Sequence, residues 1–164
     1  MSIKPEISVL FVCLGNICRS PLAEGVLARH LEATGLSERV RVDSAGTGDW
    51  HVGQGPDPRS IAVAAEHGVD LKGHARQVRP GDFSEFTYIL AMDRSNLQDL
   101  RNLRYGSGSD ASVQLFTNFD PDPNGHPDVP DPYYGEGDGF ARVFDMVDRT
   151  CHALAHHFLS ELTS

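Results

Sequence analysis

A chain of 164 residues suits one domain and is long enough to bury a core without disulfide staples. Its 40% hydrophobic and 23% charged residues are ordinary for a globular protein. A formal charge of -9 argues against broad attraction to nucleic acid or to an anionic membrane, while leaving room for one small cationic pocket.

The N-terminal "MSIKPEISVLFV" carries a proline and a glutamate before a short apolar run, unlike a secretory signal. No apolar stretch approaches membrane-spanning length. Cys13, Cys18 and Cys151 form an odd, sparse set rather than a disulfide framework. A cytoplasmic setting is expected, with export by a signal-less route left open.

"ISVLFV" (7–12) is a short β-branched and apolar run, the pattern of a strand buried on both faces. Ser20 and Pro21 then read as a helix start, a serine cap followed by the fixed φ of proline. Leu22, Val26, Leu27 and Leu31 recur at helical spacing up to Gly35, a stop signal. "RVRVDSAG" (39–46) alternates as a second strand, and "DPRSIAVAAEHG" (57–68) reads as a helix between a proline and a glycine.

"YILAM" (88–92) is a third strand, "RSNLQDLRNL" (94–103) a helix and "SVQLF" (112–116) a fourth strand. A proline-rich loop, 120–139, leads into a long amphipathic helix. Its apolar stripe runs from Phe140 through Val147, Cys151 and Phe158 to Leu162, which makes Cys151 a core residue. Strands alternating with helices predict an α/β fold, a four-stranded parallel sheet flanked by helices on both faces, in one domain over 1–164.

Ligands of such sheets sit beyond the carboxyl ends of the strands, where "CLGNICRS" (13–20) falls. Backbone N–H groups from Leu14 to Arg19 and the start of the next helix would together hold a phosphate. Gly15 eases a tight turn, and Asn16 tolerates a left-handed conformation while bracing its neighbours. Surroundings that hold a dianion also favour an ionised sulfur, which makes Cys13 a candidate nucleophile. Arg19 offers a planar fork to two phosphoryl oxygens, and Ser20 a hydrogen bond to the sulfur.

"VLFVCLGNICRSPLAE" resembles the N-terminal signature of the low-molecular-weight protein tyrosine phosphatases. The likeness continues through "DSAGTGDWHVG", "DPRS", "HGV", "ARQV", "AMDRSN" and "DPYYG" in order. The resemblance implies that Cys13 is the nucleophile, Arg19 binds the phosphoryl group and Ser20 assists thiolate chemistry. Leu14, Gly15, Asn16, Ile17 and Cys18 complete the phosphate loop, with Ser44 and Asp93 in support. It implies Asp131 as general acid and Trp50, Tyr133 and Tyr134 as pocket walls.

Hydrolysis would proceed through phosphocysteine on tyrosine-phosphorylated proteins or peptides, with neither metal nor organic cofactor. The partners expected exclude nucleic acid and membrane, and the protein is expected to be a monomer with at most weak self-association. Ile17 matches a hydrophobic position of tyrosine-specific members, where relatives acting on phosphoarginine tend to carry threonine. Cys18, five residues from Cys13, suggests reversible inactivation of an exposed thiolate by disulfide formation.

Three rivals remain. A phosphoarginine phosphatase and an arsenate reductase share the fold, although the reductase needs a downstream pair of redox cysteines and only Cys151 is present. "DPDPNGHPDVPD" (120–131) approaches a calcium loop, against which stand its four prolines and the strand before it. His152 and His156 lie at i and i+4, with His157 beside them, and read as a solvated helix face rather than a zinc site.

Overall fold

A computed structural model describes residues 4–104, 110–135 and 137–163. The predicted domain of 1–164 and the loop 120–139 thus include a few positions (1–3, 105–109, 136 and 164) that lie outside the described residues. Strands β1 (Ile7–Cys13), β2 (Val40–Gly46), β3 (Tyr88–Ala91) and β4 (Ser112–Leu115) form one parallel sheet in the order β2-β1-β3-β4. Helices α1 (Arg19–Ala33), α2 (Pro58–Glu66), α3 (Asp82–Glu85), α4 (Arg94–Arg104) and α5 (Gly139–Thr163) surround it.

Period-two alternation sends the side chains of β1 into two different cores. Val9, Phe11 and Cys13 join a cluster with Leu22, Leu27, Val147, Cys151 and Phe158 from α1 and α5. Leu10 and Val12 enter the other, with Phe83, Phe86, Leu97 and Leu100. Both faces are covered, which is why β1 reads as an unbroken apolar run. Phe11, wholly buried, meets Phe116 edge-on at 5.4 Å between ring centroids. Cys151 is fully buried, as its place on the stripe predicts.

The chain leaves β1 toward β2 on one side and later returns to β3 on the other. The carboxyl end of β1 is therefore a switch point of the sheet, and the loop 14–18 emerges there. Gly35, at φ +76°, ends α1 as expected.

The start of α1 differs from the reading of Ser20 as cap. The helix begins at Arg19, the cap position is Cys18 without a side-chain cap bond, and Ser20 and Pro21 lie inside the first turn. The Ser20 hydroxyl has a stronger set of partners in the loop itself, described below. Two elements had no sequence expectation: α3 and a 3₁₀ turn over Phe116–Phe119, each of four residues. Among the described residues no helix is long and apolar enough to cross a membrane.

Candidate active site

The loop 13–18 is held from outside by its carbonyls. Those of Cys13 and Leu14 accept from the Thr47 and Gly48 N–H groups, both at 2.9 Å, and that of Ile17 accepts from Asp57 N–H at 2.8 Å. The Cys18 carbonyl accepts from Leu22 N–H at 3.3 Å and Ser60 Oγ at 3.4 Å. A planar trans peptide points the next N–H away from its carbonyl. The amides of Leu14, Gly15, Cys18 and Arg19 are thereby turned to the opposite, inner side. This close approach depends on Gly46, where a Cβ would stand 2.8 Å from the Leu14 carbonyl oxygen.

Asn16 is the pivot. Its φ of 57° is left-handed, a conformation that asparagine tolerates better than most residues. Its backbone N–H points at Cys13 Sγ, 3.3 Å away. Its amide Nδ2 donates to Ser20 Oγ at 2.9 Å and Ser44 Oγ at 3.0 Å, while Oδ1 accepts from Arg76 N–H at 2.9 Å. Ser20 Oγ also lies 3.0 Å from Cys13 Sγ, which explains why it does not cap the helix. Ser44 Oγ passes the chain on to Glu24 Oε1 at 2.6 Å. Burial first, and Asp43 with it, pushes the Glu24 carboxyl above the usual range against the opposing Ser44 bond.

Arg19 is 2% exposed, and its fork is shared among three partners. Nη1 donates to Asp93 Oδ2 at 2.6 Å and to the Val129 carbonyl at 3.0 Å, while Nη2 stands 3.5 Å from Asp131 Oδ2. Burial on its own would lower the guanidinium pKa. The Cys13 sulfur and the Asp93 and Asp131 carboxylates outweigh it and push the value up. The cation is thus fixed against the sheet with one nitrogen toward the cavity.

Cys13, Leu14, Gly15, Ile17, Cys18, Arg19 and Asp131 line one cavity of about 370 Å³, with Trp50, His51, Tyr133 and Tyr134 around it. Every predicted pocket wall is there. Asn16, Ser20, Ser44 and Asp93 stand behind it as braces. Asp131 is brought in by a tethered segment: Arg149 grips Asp120, Arg94 grips Asp128, and Val129 N–H donates to the Met92 carbonyl at 2.8 Å. Asp131 itself accepts from Tyr133 N–H at 3.0 Å.

Sequence reasoning missed His51, Glu24, Arg76 and the Val129 carbonyl. The first had only its nearness to Trp50 as a signal, and backbone partners leave none. The expectation of an exposed thiolate is corrected: Cys13 and Cys18 are 2% and 5% exposed. Both are free thiols, and burial, followed by Asp57, Cys13 and Asp131 nearby, pushes Cys18 up to about 12.

The calcium-like loop uses its carboxylates otherwise, with Asp120 and Asp128 held by arginines. His30 adds a ring beside His152, at 5.4 Å, and bonds Asp148. Among the described residues no three such groups are arranged to hold a metal ion.

Fold and loop together define an α/β protein whose thiol and guanidinium meet in one cavity where the first strand turns into the first helix. The model of the low molecular weight phosphotyrosine protein phosphatases matches residues 8–163. A phosphatase of that description from Schizosaccharomyces pombe is 49% identical over 145 residues, 87% of this chain and 92% of its own. The crystal structure of Primo-1 superposes with a TM-score of 0.87 at 40% identity, covering 93% of this chain and 99% of that one. A drosophila arginine phosphatase superposes at 0.84 with 32% identity, covering 92% and 96%. This chain belongs to the low molecular weight phosphotyrosine protein phosphatase family and is an enzyme of that class.

Proposed function

We propose that the protein hydrolyses phosphotyrosine and other aryl phosphate monoesters through a phosphocysteine intermediate. The observation that carries this reading is the meeting of Cys13 Sγ, the inward amides and Arg19 Nη2 in one cavity, with Asp131 3.5 Å from that nitrogen. Cys13 attacks phosphorus in line as the phenolic oxygen departs. Arg19 and the loop amides hold the equatorial oxygens through the transition state.

A phenolate is the base of an acid with pKa about 10, so Asp131 delivers a proton to it as the bond breaks. Ionised Asp131 then takes a proton from the water that attacks phosphocysteine, and Ser20 steadies the leaving sulfur through its 3.0 Å contact. Trp50, Tyr133 and Tyr134 flank the ring of the ester. The single functional unit spans the chain and works in the cytoplasm as a monomer, on tyrosine-phosphorylated proteins or peptides.

Turnover of phosphotyrosine, phosphoserine, phosphoarginine and arsenate by wild type and Cys13→Ser tests the assignment. Hydrolysis of phosphotyrosine is expected to vanish in Cys13→Ser, which should still bind phosphate. Asp131→Asn is expected to slow phenolic leaving groups about 10²–10⁴-fold and activated ones far less. Acid quenching during turnover should leave phosphate on Cys13, and an unlabelled sulfur would end the proposal. The arginine phosphatase neighbour makes phosphoarginine the comparison substrate that matters most.

Redox control belongs to the same proposal. Peroxide converts the Cys13 thiolate to sulfenic acid, the Cys18 sulfur displaces water to form a disulfide, and added thiol reopens it. With Cys18 pushed up to about 12, closure should quicken as pH rises to about 10 rather than level off earlier. Inactivation that thiols never reverse would remove this part.

A further inference from the structure

Trp50 rests on its own loop. A Cβ built at Gly48 would stand 1.9 Å from Trp50 Cζ3 and 2.3 Å from Cε3, so only glycine at 48 lets the indole lie there. The ring remains 68% exposed. In this position Trp50, with Leu14, is a wall of two depressions at once. One is the cavity above Cys13. The other is an open cleft of about 500 Å³ that Gln77, Asp99 and Asn102 also line.

The cleft offers one carboxylate and two amide oxygens as acceptors, beside the Thr47 hydroxyl and the Asn102 amide N–H groups. The Asp99 carboxylate is exposed on α4 and has no ion pair or hydrogen bond among the described residues. Gln77 spends its Nε2 on the Thr47 carbonyl at 3.1 Å, which leaves Oε1 to accept. Asn102 Oδ1 takes one bond from Gln98 Nε2 at 3.1 Å and keeps a second lone pair. Among the described residues no lysine or arginine lines the cleft, and the chain as a whole carries -9. A carboxylate, amide oxygens and an indole face are what a guanidinium meets well, by ion pair, by hydrogen bond and by stacking.

The geometry points to this cleft as a subsite for a basic side chain, arginine ahead of lysine, one or two residues from the phosphotyrosine of a substrate peptide. It rests on the phosphotyrosine reading of the neighbouring cavity. An extended peptide advances roughly 3.3–3.6 Å per residue, so an arginine one or two places away reaches past the indole. Gly48 becomes a positioning residue, because any side chain there moves the shared wall.

The test compares kcat/KM for phosphotyrosine peptides with arginine, alanine or glutamate beside the phosphotyrosine, in wild type, Asp99→Asn, Asp99→Arg and Gly48→Ala. Each preference is a ratio taken within one enzyme, so changes common to all peptides cancel. Wild type should favour arginine over glutamate by roughly five- to tenfold, the product of one exposed ion pair and one cation–π contact. The ratio should shrink in about 0.5 M salt and in Gly48→Ala, fall in Asp99→Asn to the part that the indole supplies, and invert in Asp99→Arg.

Trp50 is the single tryptophan of the chain, so its emission reports peptide affinity for Cys13→Ser without turnover. That readout separates the two proposals. Turnover that spares phosphotyrosine peptides defeats the phosphotyrosine reading, whereas equal Kd values for arginine and glutamate peptides defeat the subsite. A preference that survives Asp99→Arg defeats it too.

Discussion

Cys13 and Arg19 are 2% exposed, whereas Trp50 and Tyr134 are 68% and 87% exposed, yet all four line one cavity. The buried pair is held by two sets of hydrogen bonds, one from Arg19 to Asp93 and Val129, the other from Asn16 beside Cys13 to Ser20, Ser44 and Arg76, with Ser44 bonding Glu24. The exposed pair is supported by very little: Trp50 by the missing side chain of Gly48, Tyr134 by an edge contact with Tyr133 at 4.8 Å. Groups that face developing charge need fixed geometry in a dry setting. Groups that choose among substrates need contact area and can change without unfolding the chain.

Substitutions at three positions probe that contrast. Arg19→Lys should do the most damage, lowering kcat on an aryl phosphate about 10²–10³-fold. A lysine has one nitrogen and cannot bond Asp93 and the Val129 carbonyl while also facing the cavity. A loss under tenfold would mean that point charge, not fork geometry, is what the loop requires.

Asn16→Ala should come next, because it removes three side-chain hydrogen bonds and leaves a φ of 57° on a residue that resists it. Thermal or urea unfolding should show a loss of about 2–4 kcal/mol, with kcat falling alongside. Asn16→Gly, free of the backbone strain, should recover part of the stability. Tyr134→Ala should do least, raising KM for peptides a few-fold and changing stability by no more than about 0.5 kcal/mol. Destabilisation as large as that of Asn16→Ala would erase the distinction between braced loop and loosely seated rim.

Much of this was legible from residue order, for a local reason. Cys13 to Ser20 is one contiguous turn between a strand and a helix, so its chemistry is written in eight adjacent letters. The sheet was legible too, since β1 is buried on both faces and the stripe of α5 repeats over many turns. The cap assigned to Ser20 failed because its competitor, Cys13 Sγ, approaches from seven residues upstream across the loop.

The Val129 carbonyl and the Arg76 N–H left no trace in the sequence, since backbone groups are the same in every residue. Glu24 carries no local signal either, since its partner Ser44, at 2.6 Å, comes from β2, twenty residues on. The four-residue helix α3 is too short to display any period.

The tethering of Asp131 carries a kinetic consequence. Its segment is pinned at Asp120 by Arg149, at Pro127 by Thr117, at Asp128 by Arg94 and at Val129 by both Met92 and Arg19. On the proposed mechanism, a carboxyl delivered by a segment so pinned needs no closing movement of residues 120–129 before it gives up its proton. The expectation is that bond breaking and the escape of products set the pace of each cycle, so that thickening the solvent with sucrose slows turnover only through the latter.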